Sequence, residues 1–488
     1  MRLQKLLSEL PTGQLVDLKA NSDLEISSLA YDSRQVESGS LFFAIEGHAF
    51  DGHAFIDQAL ANGAVAVVSE RPSPVEFERQ WVQVRSIRQV MALGADRFMG
   101  SPSQQITMIG VTGTNGKTTT AYLCHSILSQ MKPALMLGSI RTYIGERVVD
   151  SKLTTPESVE IQSLLTEGVR AGCRTGVMEV SSHALALDRT FGSLFPVAVF
   201  TNLTQDHLDF HGDFNDYFSA KKRLFDKRYN PGLKWAVLNA DDPYGRQLAV
   251  EANGDAITYG IDSPADVRPE SLRLSKEGVE ATINLLGNSL EISCSLIGRH
   301  NLYNLLAATA ACSLLGCSNE IIQQGLRSIQ SVPGRFEKVE CDAPATVVID
   351  FAHTPDALSN VLDLAREVAA ERVICLFGCG GDRDRKKRPL MGEVATRKAD
   401  LSIVTSDNPR TEDPDAIIYD ILEGIPQDAR PFEVITDRRE AIRRALQLSR
   451  PGDLVLLAGK GHETYQDIGG RKVDFDERHI VREALCST

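Results

Sequence analysis

The sequence GTNGKTT, from Gly113 to Thr119, places two glycines, a lysine and three threonines between an apolar run and a helical pattern. In such a loop, backbone N–H groups and the N-terminus of the following helix can surround a phosphate, while Lys117 adds a positive charge. Thr118 stands where a hydroxyl faces the metal ion of a bound nucleotide. The usual spacing would place glycine at Val111, so this is a variant phosphate-binding loop. The predicted contacts to a nucleoside triphosphate here are Gly113, Thr114, Asn115, Gly116, Lys117, Thr118 and Thr119.

Two further segments place acidic and imidazole side chains just after predicted buried strands. Glu179 ends the apolar run in VMEVSS, and Asp206 and His207 follow the next run in NLTQDHLDFHG. Magnesium prefers oxygen ligands and keeps several waters, so a carboxylate with one imidazole forms a partial ligand set. Because the ends of parallel strands share one edge of a sheet, we expect Glu179 and His207 to lie beside the phosphate loop and to bind Mg²⁺ with Thr118.

The segment VTSDNPRTEDP, which starts at Val404, presents an acid, an amide and a guanidinium within four residues. Asn408 precedes a proline and is therefore biased towards extended geometry, and the fixed φ of Pro409 stiffens the turn. A purely local, solvated turn is the alternative interpretation. An acid can receive an ammonium group, an arginine can bind a carboxylate through two hydrogen bonds, and an amide can do either. Asp407, Asn408 and Arg410 therefore suit the α-amino acid centre of a ligand.

Length and composition limit the class of protein. The chain has 488 residues, more than one hydrophobic core usually holds, and 42% hydrophobic with 24% charged residues is typical of a globular protein. The formal charge of −13 disfavours nucleic acid as a partner, because that binding depends on lysine and arginine. Nine cysteines without paired CxxC spacing predict reduced thiols rather than disulfides or zinc ligands. No apolar run reaches membrane-spanning length and no secretory signal is recognisable, so we expect a cytoplasmic protein without stable membrane insertion.

Strand-like and helical segments alternate in an order that predicts an α/β protein with three domains. Residues 1–100 contain short β-rich runs and are expected to form a small N-terminal α/β domain. Residues 101–335 alternate buried strands with helices after the phosphate loop, which predicts a central domain with a mostly parallel sheet. Residues 336–488 repeat this pattern and predict a C-terminal doubly wound, Rossmann-like domain with polar residues at its strand ends, where open sheets bind ligands.

Seven motifs, spread over nearly the whole chain, resemble in order those of the Mur ligase family of ATP-dependent amide-forming enzymes: GTNGKTT, MEVSSHAL, NLTQDHLDFHG, AKKRLF, GRHNLYN, PGRFE and DFAHTPD. Four others are similar to the family members that add meso-diaminopimelate to UDP-N-acetylmuramoyl-L-alanyl-D-glutamate: YDSRQVESGSLFFAIEGHAFDGHAFI, GGDRDRKKRPLMG, SDNPRTEDP and GKGHE. The resemblance implies small-molecule partners, namely ATP, the UDP-muramoyl dipeptide and meso-diaminopimelate. It also implies Mg²⁺, a role in peptidoglycan precursor synthesis, and a monomeric enzyme.

The same resemblance assigns roles to residues that spacing alone does not explain. Lys221, in AKKRLF, would carry a carbamate and help to place the metal, so that catalysis would involve Lys117, Glu179, His207 and Lys221. ATP would further contact Asn301, Asn304, Arg335 and Asp350. The UDP-muramoyl dipeptide would contact Ser33, His48, Asp51, Gly52, Thr154, Thr155, Ser181 and Arg189. Diaminopimelate would contact Arg383, Asp407, Asn408, Pro409, Arg410, Gly459 and Glu463. The chain departs from the family pattern at His300, Phe351 and Leu187, where phenylalanine, tyrosine and glutamine are usual.

The resemblance implies a two-step reaction. The D-glutamyl γ-carboxylate would attack the γ-phosphate of ATP, and the incoming amine would convert the resulting acyl phosphate to an amide. Two alternatives stay open at this point. The first is the lysine-adding ligase of the same family. The second, from a different class, is a P-loop ATPase switch that turns over ATP without small-molecule substrates. A folate-polyglutamating ligase is a more distant alternative, which the UDP-type N-terminal segment disfavours.

Overall fold

The computed structural model describes residues 1–8, 10–47, 50–75 and 79–486, and it contains three domains, each built around its own sheet. This arrangement confirms the predicted α/β class with three domains. Among the described residues, no helix has both the length and the apolar character needed to cross a membrane. The nine cysteines are free thiols, of which seven are buried, while Cys341 is half-buried and Cys486 is exposed.

The N-terminal domain has a five-stranded sheet in which one edge strand runs antiparallel to the others. Its elements are α1 (Leu3–Leu7), β1 (Leu15–Lys19), β2 (Ser28–Ala30), β3 (Ser40–Phe43), α2 (Ile56–Ala61), β4 (Ala64–Ser69), β5 (Gln80–Val84) and α3 (Ile87–Phe98). The strand order is β1-β5-β4-β3-β2, with β1 antiparallel. Leu3 and Leu6 of α1 and Val90 of α3 pack on one face of this sheet, and Ala59 of α2 packs on the other.

The central domain contains eleven strands, β6 (Thr107–Thr112), β7 (Ala134–Leu137), β8 (Arg141–Ile144), β9 (Arg147–Asp150), β10 (Thr175–Glu179), β11 (Val197–Phe200), β12 (Trp235–Asn239), β13 (Asp255–Tyr259), β14 (Val267–Ser275), β15 (Gly278–Leu285) and β16 (Asn288–Cys294). They form one sheet in the order β16-β15-β14-β13-β12-β11-β6-β10-β7-β8-β9. The middle of the sheet is parallel, as predicted, and antiparallel strands extend it at both ends.

Helices cover both faces of the central sheet. They are α4 (Lys117–Leu128), α5 (Ser158–Arg170), α6 (Ser182–Ala186), α7 (Leu208–His211), α8 (Phe214–Lys222), α9 (Pro243–Glu251), α10 (Arg299–Leu314) and α11 (Asn319–Ser328). Residues of α4, α10 and α11 form the core on one face, and residues of α5 and α8 contribute to the core on the other. Because helices bury both faces of these strands, their sequences are apolar at every position, as in VAVF of β11.

The C-terminal domain is doubly wound, as predicted. Its strands are β17 (Glu337–Lys338), β18 (Thr346–Asp350), β19 (Val373–Phe377), β20 (Leu401–Val404), β21 (Phe432–Val434), β22 (Leu454–Ala458), β23 (Tyr465–Ile468) and β24 (Arg471–Asp474). The main sheet has the order β17-β18-β22-β19-β20-β21, and β23 with β24 forms a separate hairpin. Its helices are α12 (Pro355–Val368), α13 (Lys387–Lys398), α14 (Pro414–Leu422), α15 (Arg438–Leu448) and α16 (Glu477–Cys486). The first three cover one face, and α15 and α16 cover the other.

Candidate active site

A cleft of about 1770 Å³ is lined by residues that follow the carboxyl ends of parallel strands in both the central and the C-terminal domains. Open α/β sheets bind ligands at these ends. Most of the predicted site residues line this one cleft: Thr114, Asn115, Gly116, Lys117, Thr118, Thr119, Thr154, Glu179, Ser181, His207, Lys221, Asn301, Asn304, Arg335, Asp350, Arg383, Asp407, Asn408, Arg410, Gly459 and Glu463. Gly113, Thr155, Arg189 and Pro409 are not among its lining residues.

The phosphate loop turns from β6 into α4 because its two glycines adopt conformations that other residues rarely take. Gly113 has a φ of 147° and Gly116 a φ of 84°. An added Cβ at Gly113 would lie 1.8 Å from Oγ1 of Thr201, and one at Gly116 would lie 2.5 Å from Oδ1 of Asn304. The loop therefore depends on glycine for both its shape and its packing. Lys117 begins the twelve-residue helix α4, whose N-terminus provides N–H groups for an anion.

Two lysines, the half-buried Lys117 and the buried Lys221, share one carbonyl oxygen of this loop. Nζ of Lys117 donates to the carbonyl oxygens of Gly113, at 3.0 Å, and of Thr114, at 2.7 Å. Nζ of Lys221, on α8, donates to the same Gly113 oxygen at 2.7 Å. Burial lowers the pKa of Lys117, although the charge of Glu179 opposes this. Burial and the charge of Lys117 hold the pKa of Lys221 well below its ordinary value, which favours the neutral amine.

Glu179, at the end of β10, is the centre of a hydrogen-bond network beside the phosphate loop. Its Oε2 accepts from Oγ1 of Thr118 at 2.8 Å and from Oγ of Ser139 at 3.0 Å, and its Oε1 accepts from the Ser139 N–H at 2.8 Å. Arg335 donates to Oγ1 of Thr118 at 3.0 Å and lies over the ring of Phe351, 4.8 Å from its centre. The predicted neighbours Thr118 and Glu179 are therefore in contact, and a guanidinium faces the same hydroxyl.

Asp206 lies among positively charged and imidazole groups of two domains. Its carboxylate is 3.3 Å from Nε2 of His207, 3.7 Å from Nε2 of His353 and 3.9 Å from Nζ of Lys387. Burial raises the pKa of Asp206, but the hydrogen bond of His353 and the neighbouring charges outweigh burial and hold it well below its ordinary value. Burial lowers the pKa of His207 to about 3, so its imidazole is neutral at pH 7, as a metal ligand must be.

Other contacts connect the phosphate loop with the C-terminal domain. Nδ2 of Asn115 donates to Oδ2 of Asp356, in the first turn of α12, at 2.8 Å. The carboxylate of Asp350 accepts the backbone N–H groups of Phe336 and Ala352, both at 2.7 Å, and so fixes the turn after Arg335. Burial raises the pKa of Asp350, although the charge of Arg335 lowers it.

The predicted adenine contacts Asn301 and Asn304 lie in the first two turns of α10. Nδ2 of Asn301 donates to the Ile297 carbonyl at 2.8 Å, and Nδ2 of Asn304 donates to Oδ1 of Asn301 at 3.1 Å. Oδ1 of Asn304 also accepts from Oγ1 of Thr120, in α4, at 3.3 Å. Asn304 is therefore placed directly against the phosphate loop.

The four predicted dipeptide contacts of the central domain form one connected group. Oγ1 of Thr155 accepts the Ser181 N–H at 3.0 Å and donates to the Glu179 carbonyl at 2.8 Å. Arg189 donates to the Thr155 carbonyl at 3.0 Å, and its Nε lies 2.8 Å from a carboxylate oxygen of Glu157. The guanidinium of Arg189 is therefore paired within the protein. Oγ1 of Thr154 accepts from Oγ of Ser139 at 3.1 Å, next to Glu179.

The predicted uridine diphosphate contacts form a separate group in the N-terminal domain. Asp51 accepts the N–H of His53 at 3.0 Å and lies 2.6 Å from its Nδ1, and Gly52 donates to the Ile45 carbonyl at 2.8 Å. Oγ of Ser33 is buried and donates to Gln58 at 2.9 Å. The prediction for His48 falls outside the described residues.

The segment after β20 does not present all of its polar groups to the cleft in the predicted way. A buried lysine, Lys460, lies behind it, with Nζ 3.5 Å from Oδ1 of Asp407, 3.0 Å from Oδ1 of Asn408 and 3.2 Å from Oε2 of Glu463. Nδ2 of Asn408 donates to the same Glu463 oxygen at 2.8 Å. The charge of Asp407 is therefore already opposed by an ammonium group of the protein itself.

Arg410 adopts a left-handed backbone conformation, with a φ of 54°. Its side chain donates to the carbonyl of Gly381, in the loop that also carries Arg383. A Cβ added at Gly380 would lie 2.9 Å from Nη1 of Arg410 and 3.9 Å from Cγ of Arg383, so both arginine side chains pass the same point on this wall of the cleft. Burial and the charge of Arg410 lower the pKa of Arg383. Two neighbouring positive charges favour a ligand with carboxylate groups.

Four residues of this site were not predicted from the sequence: Ser139, His353, Lys387 and Lys460. Ser139 follows β7 and could have been found from its position at a strand end, like Glu179. The buried position of Lys460 could not, because lysine is almost always exposed and nothing in GKGHE indicates burial. His353 and Lys387 approach Asp206 only through the packing of two domains.

The donor atoms beside the phosphate loop fit a magnesium ion that binds together with a nucleotide. Within the described ranges, no three His, Cys, Asp or Glu side chains are arranged to hold a metal by themselves. Mg²⁺ usually binds one or two carboxylates plus substrate phosphates rather than a cage of protein ligands. The hydroxyl of Thr118, the carboxylate of Glu179 and the neutral imidazole of His207 suit this mode.

Three models of the Mur ligase family match the chain. Residues 25–115 match the model described as "Mur ligase family, catalytic domain", residues 111–312 match "Mur ligase middle domain", and residues 334–461 match "Mur ligase, glutamate ligase domain". A protein of Solibacter usitatus named UDP-N-acetylmuramoyl-L-alanyl-D-glutamate–2,6-diaminopimelate ligase is 47% identical over 462 residues, 94% of each chain. A solved structure of a ligase with the same name is 32% identical, with a TM-score of 0.69, and covers 100% of this chain and 99% of its own. A MurF ligase from Thermotoga maritima in complex with ADP shares the fold at 21% identity, with a TM-score of 0.63 and coverage of 96% and 98%.

Proposed function

Because this chain belongs to the Mur ligase family, we propose that it adds meso-diaminopimelate to UDP-N-acetylmuramoyl-L-alanyl-D-glutamate, with conversion of ATP to ADP and phosphate. The observation that carries this proposal is the 47% identity, over 94% of both chains, to a ligase named for that reaction. The cleft supports it, since a phosphate loop and a pair of arginines line one continuous space. The nine free thiols fit a reducing compartment, so we place the enzyme in the cytoplasm. We further propose, from the family resemblance alone, that it is a monomer.

The phosphate loop is proposed to bind ATP. The N-terminus of α4 and the loop N–H groups would hold the phosphates, while Lys117 and Arg335 would neutralise charge as the γ-phosphoryl group moves. Catalysis of this transfer rests mainly on orientation and electrostatic stabilisation, so no side chain needs to react covalently. The MurF ligase of Thermotoga maritima, which has the same fold, was solved with ADP.

Thr118, Glu179 and His207 would hold Mg²⁺ when ATP is bound. The ion would supply charge neutralisation at the phosphate oxygens. Lys221 is suited to carry a carbamate, because its lowered pKa provides a neutral amine and because an ammonium group there would repel both Lys117 and a cation. Addition of CO₂ to the neutral amine, with release of a proton, would give a negatively charged carbamate whose oxygen atoms suit a hard cation.

The substrate carboxylate would enter beside Thr154 and Ser181, next to Glu179, and attack the γ-phosphate. The resulting acyl phosphate would be lost if water reached it. Contacts of Asn115 with Asp356, and of Asp206 with His353, bring the two domains together around this point. They are suited to exclude water while the amine attacks.

Diaminopimelate would lie on the wall formed by the C-terminal domain. Arg383 and Arg410 provide two guanidinium groups for its two carboxylates, and Glu463 provides a carboxylate for the ammonium group that does not react. Lysine lacks one of these carboxylates and would leave one guanidinium without its partner. A site built to bind a polar group can reject an analogue that lacks it by about 10⁴–10⁵.

Phosphate release tests the proposal directly. The enzyme is given ATP, Mg²⁺ and the UDP-muramoyl dipeptide with meso-diaminopimelate, with L-lysine, or with neither amino acid, and each substrate is then omitted in turn. We expect release only with the complete set, and a kcat/KM for diaminopimelate at least about 10⁴ times that for lysine. Comparable values for the two amino acids would identify the lysine-adding reaction, and release with ATP alone would identify an ATPase.

A further inference from the structure

Behind the C-terminal wall of the cleft lies a fully buried lysine that ATP, metal and dipeptide binding do not require. Lys460 has no exposed side-chain surface, and it does not line the cleft. Its ammonium group has three acceptors within 3.5 Å, on Asp407, Asn408 and Glu463. Burial of a lysine costs free energy unless each of its N–H groups has a hydrogen-bond partner. The set of acceptors around Lys460 therefore indicates a specific role for this side chain.

The contacts of Lys460 determine which way the Asn408 amide faces. One end of that amide meets two groups that can only donate, Nζ of Lys460 at 3.0 Å and the N–H of Asp467 at 2.9 Å. The other end lies 2.8 Å from Oε2 of Glu463, a carboxylate that accepts. Donors require the oxygen and the acceptor requires the nitrogen, so the orientation follows from the partners themselves.

Resting on the proposed function, we propose that Lys460 is a positioning residue that sets the polarity of the amino-acid site. It fixes Asn408 with its N–H₂ group on the side of Glu463, so that the amide can only donate to a ligand. A donor binds a carboxylate and rejects an ammonium group. Lys460 lies 3.5 Å from Asp407 and 3.2 Å from Oε2 of Glu463, so it opposes the charge of both carboxylates and leaves Oε1 of Glu463 for a ligand ammonium group.

This role would allow an α-amino acid centre to bind in one orientation only. The substrate carboxylate would contact Asn408 and Arg410, and its ammonium group would contact Glu463. Without Lys460, the amide oxygen would lose one of its two donors, and the Asp467 N–H and Glu463 alone would hold the orientation of the amide less firmly. Selectivity for the carboxylate would then fall, while the phosphate loop, which belongs to another domain, would be unaffected.

The test compares Lys460→Met with the wild-type enzyme and with Lys338→Met, a control at an exposed lysine of the same domain. We measure KM for ATP, for the dipeptide and for two amino-acid substrates, diaminopimelate and its analogue with the distal carboxylate converted to a carboxamide. Loss of a hydrogen bond from a charged donor predicts a KM for diaminopimelate about 10- to 100-fold higher, with the KM for ATP and dipeptide within about twofold.

The selectivity ratio separates a positioning role from a general structural one. In the wild type, the analogue should have a much higher KM than diaminopimelate, and in Lys460→Met this ratio should fall by at least about fivefold. A ratio that does not change, or equal increases in KM for all substrates, overturns the proposal. A wild-type enzyme that is inactive with diaminopimelate overturns the proposed function instead.

Removal of Lys460 leaves Asp407 buried without its partner, so a second pair of variants is included. Lys460→Gln combined with Asp407→Asn removes both charges and is compared with Asp407→Asn alone. The double variant should again show a higher KM for diaminopimelate and a lower selectivity ratio than its single reference. Equal values in the two proteins would overturn the proposal even if Lys460→Met does not fold.

Discussion

In the phosphate loop, we expect the substitution Gly113→Ala to disturb the backbone most. The φ of Gly113, 147°, lies where residues with a side chain are strained, and an added Cβ would lie 1.8 Å from Oγ1 of Thr201. That oxygen donates to the Asn115 carbonyl at 2.6 Å, so it cannot move away freely. Asn202 backbone atoms, 3.1 Å from the same Cβ, block the alternative path. Gly113→Ala must therefore displace the loop.

The expected size of the effect follows from these distances. An ordinary contact of at least 3.4 Å requires a separation of about 1.6 Å more than the 1.8 Å available, and a misplacement of about 1 Å at a reacting group can cost about 10² in rate. The strained backbone adds about 1–3 kcal/mol. Because Lys117 and Lys221 both donate to the Gly113 carbonyl, the displacement reaches both lysines.

Phosphate release at saturating dipeptide and diaminopimelate measures this effect, with Gly172→Ala as the matched control. Gly172 also has a positive φ, 83°, but nothing lies within 4 Å of its added Cβ. We expect Gly113→Ala to lose at least about 10² in kcat/KM for ATP, and Gly172→Ala to lose stability without a comparable loss of activity. If Gly113→Ala keeps more than a tenth of wild-type turnover, the reasoning about the loop is wrong.

Four other predictions concern charge and titration. Lys117→Ala should reduce phosphate release by about 10²–10³, since a positive charge at the transferring group is lost, and more than a tenth of wild-type turnover at saturating ATP would exclude this role. Lys221→Ala should be inactive, and short carboxylates added to the buffer should restore part of the activity; mass analysis showing an unmodified lysine in a fully active wild-type enzyme would contradict the carbamate. Arg410→Ala should raise KM for diaminopimelate about 10- to 100-fold with the KM for ATP unchanged, and a parallel rise in both would argue against a specific contact. Burial lowers the pKa of His300 from 6.5 to about 4, so between these pH values the unfolded chain binds a proton that the folded chain does not, and stability falls as the pH falls. The Tm of His300→Phe should therefore fall less between pH 6.5 and 4 than the Tm of the wild type. The same pH dependence of Tm in both proteins would contradict this assignment to His300.

The sequence predicts those parts of the site that depend on local geometry. The phosphate loop needs glycines at fixed places between a strand and a helix, so GTNGKTT is informative by itself. Glu179 ends β10 and His207 follows β11, and these two strands flank β6 in the parallel part of the sheet. Parallel strands bring their ends to one edge, so both residues could be placed beside the phosphate loop. The role of Thr118 beside Glu179 follows from the same reasoning.

Contacts between distant segments are not predictable in this way. Asp407 was expected to receive a ligand ammonium, but the structure places Lys460, 53 residues later, against its carboxylate. The contact of Arg189 with the dipeptide stays a prediction, but the ion pair that Arg189 forms with Glu157 was not foreseen. The antiparallel strands β15 and β16 do alternate between buried and more exposed residues, but their attachment to the sheet through β14 depends on pairing that periodicity does not specify.

The distribution of the thiols has a practical consequence for following domain movement in solution. Among the residues that the structure describes, Cys486 is the one exposed cysteine, and it lies at the end of α16 in the C-terminal domain. Buried thiols react slowly with maleimide dyes, and Cys341 is half-buried. A fluorophore could therefore be attached at Cys486 in the unaltered protein, and a second one at a cysteine introduced in the N-terminal domain. Energy transfer between the two dyes would then report each substrate's effect on the distance between the outer domains.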